Sequence, residues 1–78
     1  NFGAQLMLGH VYNHRASPDA PVECAPDTLH EHLNWSPART RRLMTLARAQ
    51  NWLRIEGGLI SLTEQGEARV HAFREGGG

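Results

Sequence analysis

One cysteine, Cys24, stands among 78 residues, so no disulfide can form within the chain. A lone thiol fits a reducing, cytosolic setting more simply than an oxidising one. No apolar run approaches the roughly 20 residues that a membrane-spanning helix needs, and no secretory leader is visible. Lysine is absent: all eight basic residues are arginine, which a GC-rich genome explains as readily as phosphate chemistry does. Also missing are a Gly-rich phosphate loop, a nucleophile elbow and a paired-carboxylate arrangement. The chain is therefore expected to act by binding and not as an enzyme, with no cofactor. There is no initiating Met, and Asn1-Phe2-Gly3 is not an obvious mature start, so a piece of a longer protein is expected.

The length is that of one small domain. At this size roughly 60% of the unfolded surface can be buried, and a hydrophobic fraction of 40% is enough for one core without staples. Net charge is zero and argues neither for nor against nucleic acid, but its distribution is uneven. Residues 36–54 hold Arg39, Arg41, Arg42, Arg48 and Arg54 and no acid. Residues 17–35 hold Asp19, Glu23, Asp27 and Glu31 and no arginine. A solvated helix face accounts for the arginines as well as a phosphate-binding one does.

The stretch APDTLHEHLNWSPARTRRLMTLARAQNWLRIEGGLISL, residues 25–62, organises the rest. Before it, residues 2–15 read as a first helix with Ala4, Leu8, Val11 and Tyr12 near one face and Leu6 and Met7 beside it. Residues 17–25, with Pro18, Pro21 and acids, read as a linker, with a brief extended piece at Val22. Pro26 suits the first turn of a second helix whose core contacts are Leu29 and Leu33. Asn34 tolerates the left-handed conformation that ends a helix, and Trp35 is the apolar anchor of the turn. Ser36-Pro37 is the sharpest local signal: an N-cap followed by proline at the first helical position. The third helix should run from residue 37 to about 50, with Thr40, Leu43, Met44 and Ala47 inward and Ala38, Arg42, Thr45 and Ala49 outward. A two-residue Gly57-Gly58 loop predicts a hairpin pairing Ile55 with Ile60 and Leu53 with Leu62, all four on one face. Thr63 should cap a last helix with Gly66, Val70 and Phe73 inward. The predicted fold is mainly α with a small β-hairpin wing, in the order α-α-α-β-β-α of a winged helix-turn-helix. It spans residues 1–75, with 76–78 a disordered glycine tail.

Residues 25–73 carry a resemblance. "LHEHLNWSPARTRRLMTLARAQNWL" followed by "ISLTEQGEARV" resembles the winged helix-turn-helix domains of bacterial regulators of the multiple-antibiotic-resistance and diphtheria-toxin-repressor types. The match falls on Leu29, Leu33, Trp35, Ser36, Pro37, Leu43, Leu53, Leu62, Thr63 and Gly66. It departs at Asn51, where glycine is usual, and at His30, where alanine is usual. The Trp-Ser-Pro turn is similar also to the cytosolic C-terminal extensions of some manganese, zinc or iron ABC-transporter permeases. Fold does not by itself carry function.

The first resemblance implies a transcription-regulation module that binds double-stranded DNA, with the third helix in the major groove. Carried over, Ala38, Arg39, Arg41, Arg42 and Thr45 would lie near bases. Ser36 and Arg48 would meet the backbone, with Arg54 on the strand leading to the wing. Three features point instead to a protein-contact version of the fold: Glu56 beside the wing tip, Leu46 on an exposed flank of the basic helix, and the acidic linker. The second resemblance implies the cytosolic part of an inner-membrane protein, making protein contacts or sensing metal. Leu46, Met7 and the first-helix face exceed what the core is expected to bury. Lacking added dimerisation helices, the piece should be monomeric or weakly associated. His10 and His14 share a helix face, while His30 and His32 point to different sides of theirs. No spacing here imposes three converging ligands. The histidines, His71 included, therefore read as surface side chains, Cys24 as half-buried filler, and no metal ligand is assigned. Trp35 and Trp52 read as core.

Overall fold

The computed structural model describes residues 2–77. The chain makes α1 (Phe2–His14), α2 (Ala20–Glu23), α3 (Leu29–Leu33), α4 (Pro37–Ala49), β1 (Leu53–Glu56), β2 (Leu59–Leu62) and α5 (Glu64–Gly77). It is mainly helical with one two-stranded antiparallel hairpin. Of the expected glycine tail, Gly78 lies outside the described residues. The element order has one helix more than predicted before the hairpin, because the linker is not extended at Val22. Pro21 occupies the first turn of α2, where its fixed φ suits a helix and its missing N–H is not needed. The contact expected of an extended piece falls two residues later: the Ile60 amide donates to the Cys24 carbonyl at 2.9 Å.

Helix α1 is the centre of the packing. Its residues Ala4, Met7, Leu8 and Val11 are buried together with Leu29, Leu43, Ala47, Leu53, Ile60, Leu62 and Val70. Met7, expected among the apolar surplus, is fully buried instead, because α5 and α4 both close on α1. Leu6 stays exposed, lining a groove with Val70 and Phe73 of α5.

Helix α3 starts at Leu29 with Thr28 as its N-cap, so Pro26 belongs to the preceding turn and not to the helix. The helix ends as the sequence predicts: Asn34 is left-handed, with φ 58° and ψ 42°. Ser36 then caps α4, its hydroxyl accepting from the Arg39 amide at 3.1 Å. Thr40, Leu43 and Ala47 are buried on the inner face of α4, as the spacing predicts. Asn51, standing where the resembled domains carry glycine, also adopts a positive φ of 62°, a conformation that asparagine tolerates better than most residues.

The hairpin has the predicted register, Leu53 opposite Leu62 and Ile55 opposite Ile60. Gly57 and Gly58 both have positive φ, as a primed two-residue turn requires. The shared face is not uniformly buried: Ile60 is 3% exposed and Ile55 38%. Strand β2 is flanked by β1 on one side and by Cys24 on the other, whereas β1 is an open edge.

At the base of the hairpin, the Thr63 hydroxyl donates to the Asn51 carbonyl and accepts from the Gly66 amide at 3.0 Å. Gly66 lies so close to Trp52 that a Cβ there would come within 2.0 Å of its carbonyl oxygen. Phe73, predicted inward, is 36% exposed and meets Phe2 edge to face, with centroids 6.4 Å apart; the core ends at Val70.

Two contrasts test this packing by urea denaturation. Gly66→Ala should cost about 3 kcal/mol through overlap with rigid backbone. Gly9→Ala, with open space around it, should gain about 0.5–1 kcal/mol from helix propensity. Leu43→Ala should cost about 2–5 kcal/mol.

Candidate functional site: arginine face and histidine cluster

The residues predicted to read DNA occupy the outer face of α4. Ser36, Ala38, Arg39, Arg41, Arg42, Thr45 and Arg48 are all exposed. Ala38, Arg41, Arg42 and Thr45 line one shallow groove. Among the described residues Arg41, Arg42 and Arg48 have no ion pair, but three of the predicted set are engaged elsewhere. The Arg39 guanidinium lies 4.7 Å from the centroid of the Trp35 ring, a cation–π contact that holds it against the turn. Arg54 pairs with Glu56 at 3.3 Å on β1. The Thr45 hydroxyl donates back to the Arg41 carbonyl at 3.0 Å. Leu46 is exposed on the same helix, and with Arg39, Arg42 and Leu43 it lines a second, apolar groove.

A different group of residues converges where α1, α2 and α3 meet. His10 and His14, one turn apart on α1, face Glu23 at the end of α2. Their Nε2 atoms stand 3.7 Å and 3.5 Å from Glu23 Oε1. His32, on α3, brings its Nδ1 to 2.9 Å from Glu23 Oε2. The His10 ring lies 4.7 Å from that of His14 and 6.1 Å from that of His32. Donor atoms of His10, His14 and Glu23 all fall within 4.8 Å of one another, close enough for one small cation to reach all three. The sequence pattern identified the shared face of His10 and His14, but no spacing signalled Glu23. It joins them only because α2 folds the linker back along α1. His30 stands outside the cluster, and His71 pairs with the Tyr12 hydroxyl at 3.3 Å.

The chain is similar to a zinc transport membrane protein. It is 35% identical over 63 residues to the zinc transport system membrane protein TroD of Treponema pallidum (strain Nichols). The match covers 81% of this chain and 17% of that protein, so the chain spans about a sixth of the length of the curated relative it matches. No family model matches the chain, and no solved structure matches it. The similarity agrees with the permease resemblance and gives no support to the regulator resemblance. Among the described residues no helix is long and apolar enough to cross a membrane.

Next to Glu23, Cys24 is 2% exposed. Desolvation by burial, and then the negative charge of Glu23, raise its thiol pKa above the ordinary range. As pH rises, the unfolded thiol, near 8.5, releases its proton before the folded one does. Its contribution to stability is therefore intact below that value and is lost as pH climbs through the folded pKa. Between pH 8 and 10 the unfolding free energy should fall more steeply for the wild type than for Cys24→Ala. Alkylation of the native thiol by iodoacetamide should be slow at neutral pH and complete in urea.

Proposed function

We propose that this chain is a cytosolic regulatory domain of a metal-ion ABC-transporter permease. In this reading it is built as a winged helix-turn-helix and acts by contact with the rest of its parent protein, not by catalysis. The observation that carries this reading is the 35% identity over 63 residues to a zinc transport membrane protein. The geometry adds support. The wing carries an internally neutralised Arg54–Glu56 pair instead of the free cations that hold phosphates. Arg39 is stacked on Trp35. Leu46 and the cluster of Phe2, Leu6 and Phe73 leave apolar surface of the kind protein contacts use.

The gene tests the reading directly. Several apolar segments of about 20 residues are expected upstream of Asn1; a soluble sensing or dimerising domain in their place would sink it. In cells, deleting the domain from the intact permease should alter zinc uptake or its dependence on zinc supply.

A second reading has one observation in its favour: Arg41, Arg42 and Arg48 are exposed and unpaired on one helix, among the described residues. In that reading the chain binds double-stranded DNA through Ser36, Ala38, Arg39, Arg41, Arg42, Thr45, Arg48 and Arg54. Amide NMR with a mixed-sequence duplex separates the two. The permease reading expects no shifts even at low salt. Shifts confined to residues 36–48 and the wing, fading with salt, would favour DNA. In that case replacing Arg41 and Arg42 by Ala should reduce the slope of log K against log salt by about 2.

A further inference from the structure

We propose that His10, His14 and Glu23 form a binding site for one divalent transition-metal ion of zinc's type, with His32 holding the carboxylate in place. The donor chemistry selects the class. Two imidazoles and a carboxylate suit zinc and its neighbours, while hard cations such as magnesium prefer an all-oxygen shell. The distances fit as well. Bonds of about 2.0–2.1 Å in a tetrahedron place ligand atoms about 3.4 Å apart, and the two imidazole nitrogens stand 3.7 Å and 3.5 Å from Glu23 Oε1. Small rotamer shifts would close the set around an ion.

The arrangement is more than one carboxylate needs. A single protonated histidine satisfies an ion pair, yet three imidazoles from two helices gather at Glu23. His32, through its 2.9 Å contact with Glu23 Oε2, fixes the carboxylate that the ion would meet, as outer partners commonly do at metal sites. His10 also directs Nε2 at the Glu23 backbone carbonyl, at 3.0 Å. Binding through that nitrogen removes its proton and breaks this hydrogen bond, which gives a spectroscopic signature of occupancy.

Three protein ligands leave a fourth position open, the pattern of an exchangeable site and not of a sealed structural one. The side chains agree: His10 is 13%, His14 31% and Glu23 21% exposed, so an ion can come from solvent. Occupancy would tie α1 to α2, whose residues are not themselves buried, and through His32 to α3, whose end sets the turn into α4. The site stands on side-chain geometry. Its use as a reporter of metal status rests on the permease reading above.

The test is titration of the 78-residue protein with ZnCl₂, followed by histidine ring NMR and by thermal unfolding. At one equivalent, the His10, His14 and His32 rings should shift, His10 Nε2 should lose its proton, and His30 and His71 should stay unmoved. The unfolding midpoint should rise with free zinc, and MgCl₂ should do neither. Glu23→Gln and His14→Gln should each weaken binding at least about 100-fold, and His32→Gln about 10–100-fold, with His71→Gln unchanged. Unmoved His10 and His14 rings in the wild type, which needs no variant to fold, would overturn the site. So would zinc affinity undiminished in a folded Glu23→Gln protein. Neither result bears on the gene-context test, so the site and the permease reading fail separately.

Discussion

The burial of one face of α1 is the constraint on which the rest depends. A chain of this size has room for one core and has no disulfide to reinforce it. Ala4, Met7, Leu8 and Val11 give that core its middle, and α4, α5 and β2 are placed by closing on them. The same helix therefore has to serve two edges. One carries the core. The next carries His10 and His14, part-buried because the helix is pinned, and so available to whatever the linker brings back along it.

Two close backbone arrangements then fix the direction of the functional faces. Asn34 in the left-handed region turns α3 into α4, with the Ser36 cap immediately after. The Thr63 hydroxyl bridges Asn51 and Gly66, where only glycine fits against the Trp52 carbonyl. Together they hold the arginine face of α4 and the hairpin at one end of the molecule. Two of the arginines on these elements are already engaged within the chain. Arg39 lies on Trp35 and Arg54 on Glu56. A guanidinium paired with a carboxylate, as Arg54 is, contributes less to a phosphate field, and this physical difference favours protein contact over DNA in the proposed role.

The histidine cluster lies among α1, α2 and α3, and its donor set suits a transition-metal ion. Similarity to a zinc transport membrane protein and a metal-type donor set are independent observations that meet in one proposal. In it the domain reports metal status to a transporter through the helices that the cluster would link. Coupling of this kind needs two arrangements of the helix contacts that metal biases differently. The half-buried seam between α1 and α2 is where such a difference has room to occur.

Local chemistry determined much of this protein from sequence alone. The Ser36-Pro37 start of α4, the left-handed Asn34, the Gly57-Gly58 hairpin with its register, the Thr63 cap and the inward face of α4 were all legible, because each depends on residues within a few positions of one another. What depends on distant packing was not. Val22 read as extended until Pro21 was found inside a helical turn. Ile55 shares the predicted face with Leu53, Ile60 and Leu62 yet lies exposed on an open edge strand, and Phe73, read as inward, lies beyond the end of the core. Met7 read as surplus and proved fully buried, because both α4 and α5 close on α1. The convergence of Glu23 with His10, His14 and His32 was decided by tertiary structure alone. Helical periodicity places two histidines on one face, but only the path of the intervening chain determines which carboxylate comes to stand between them.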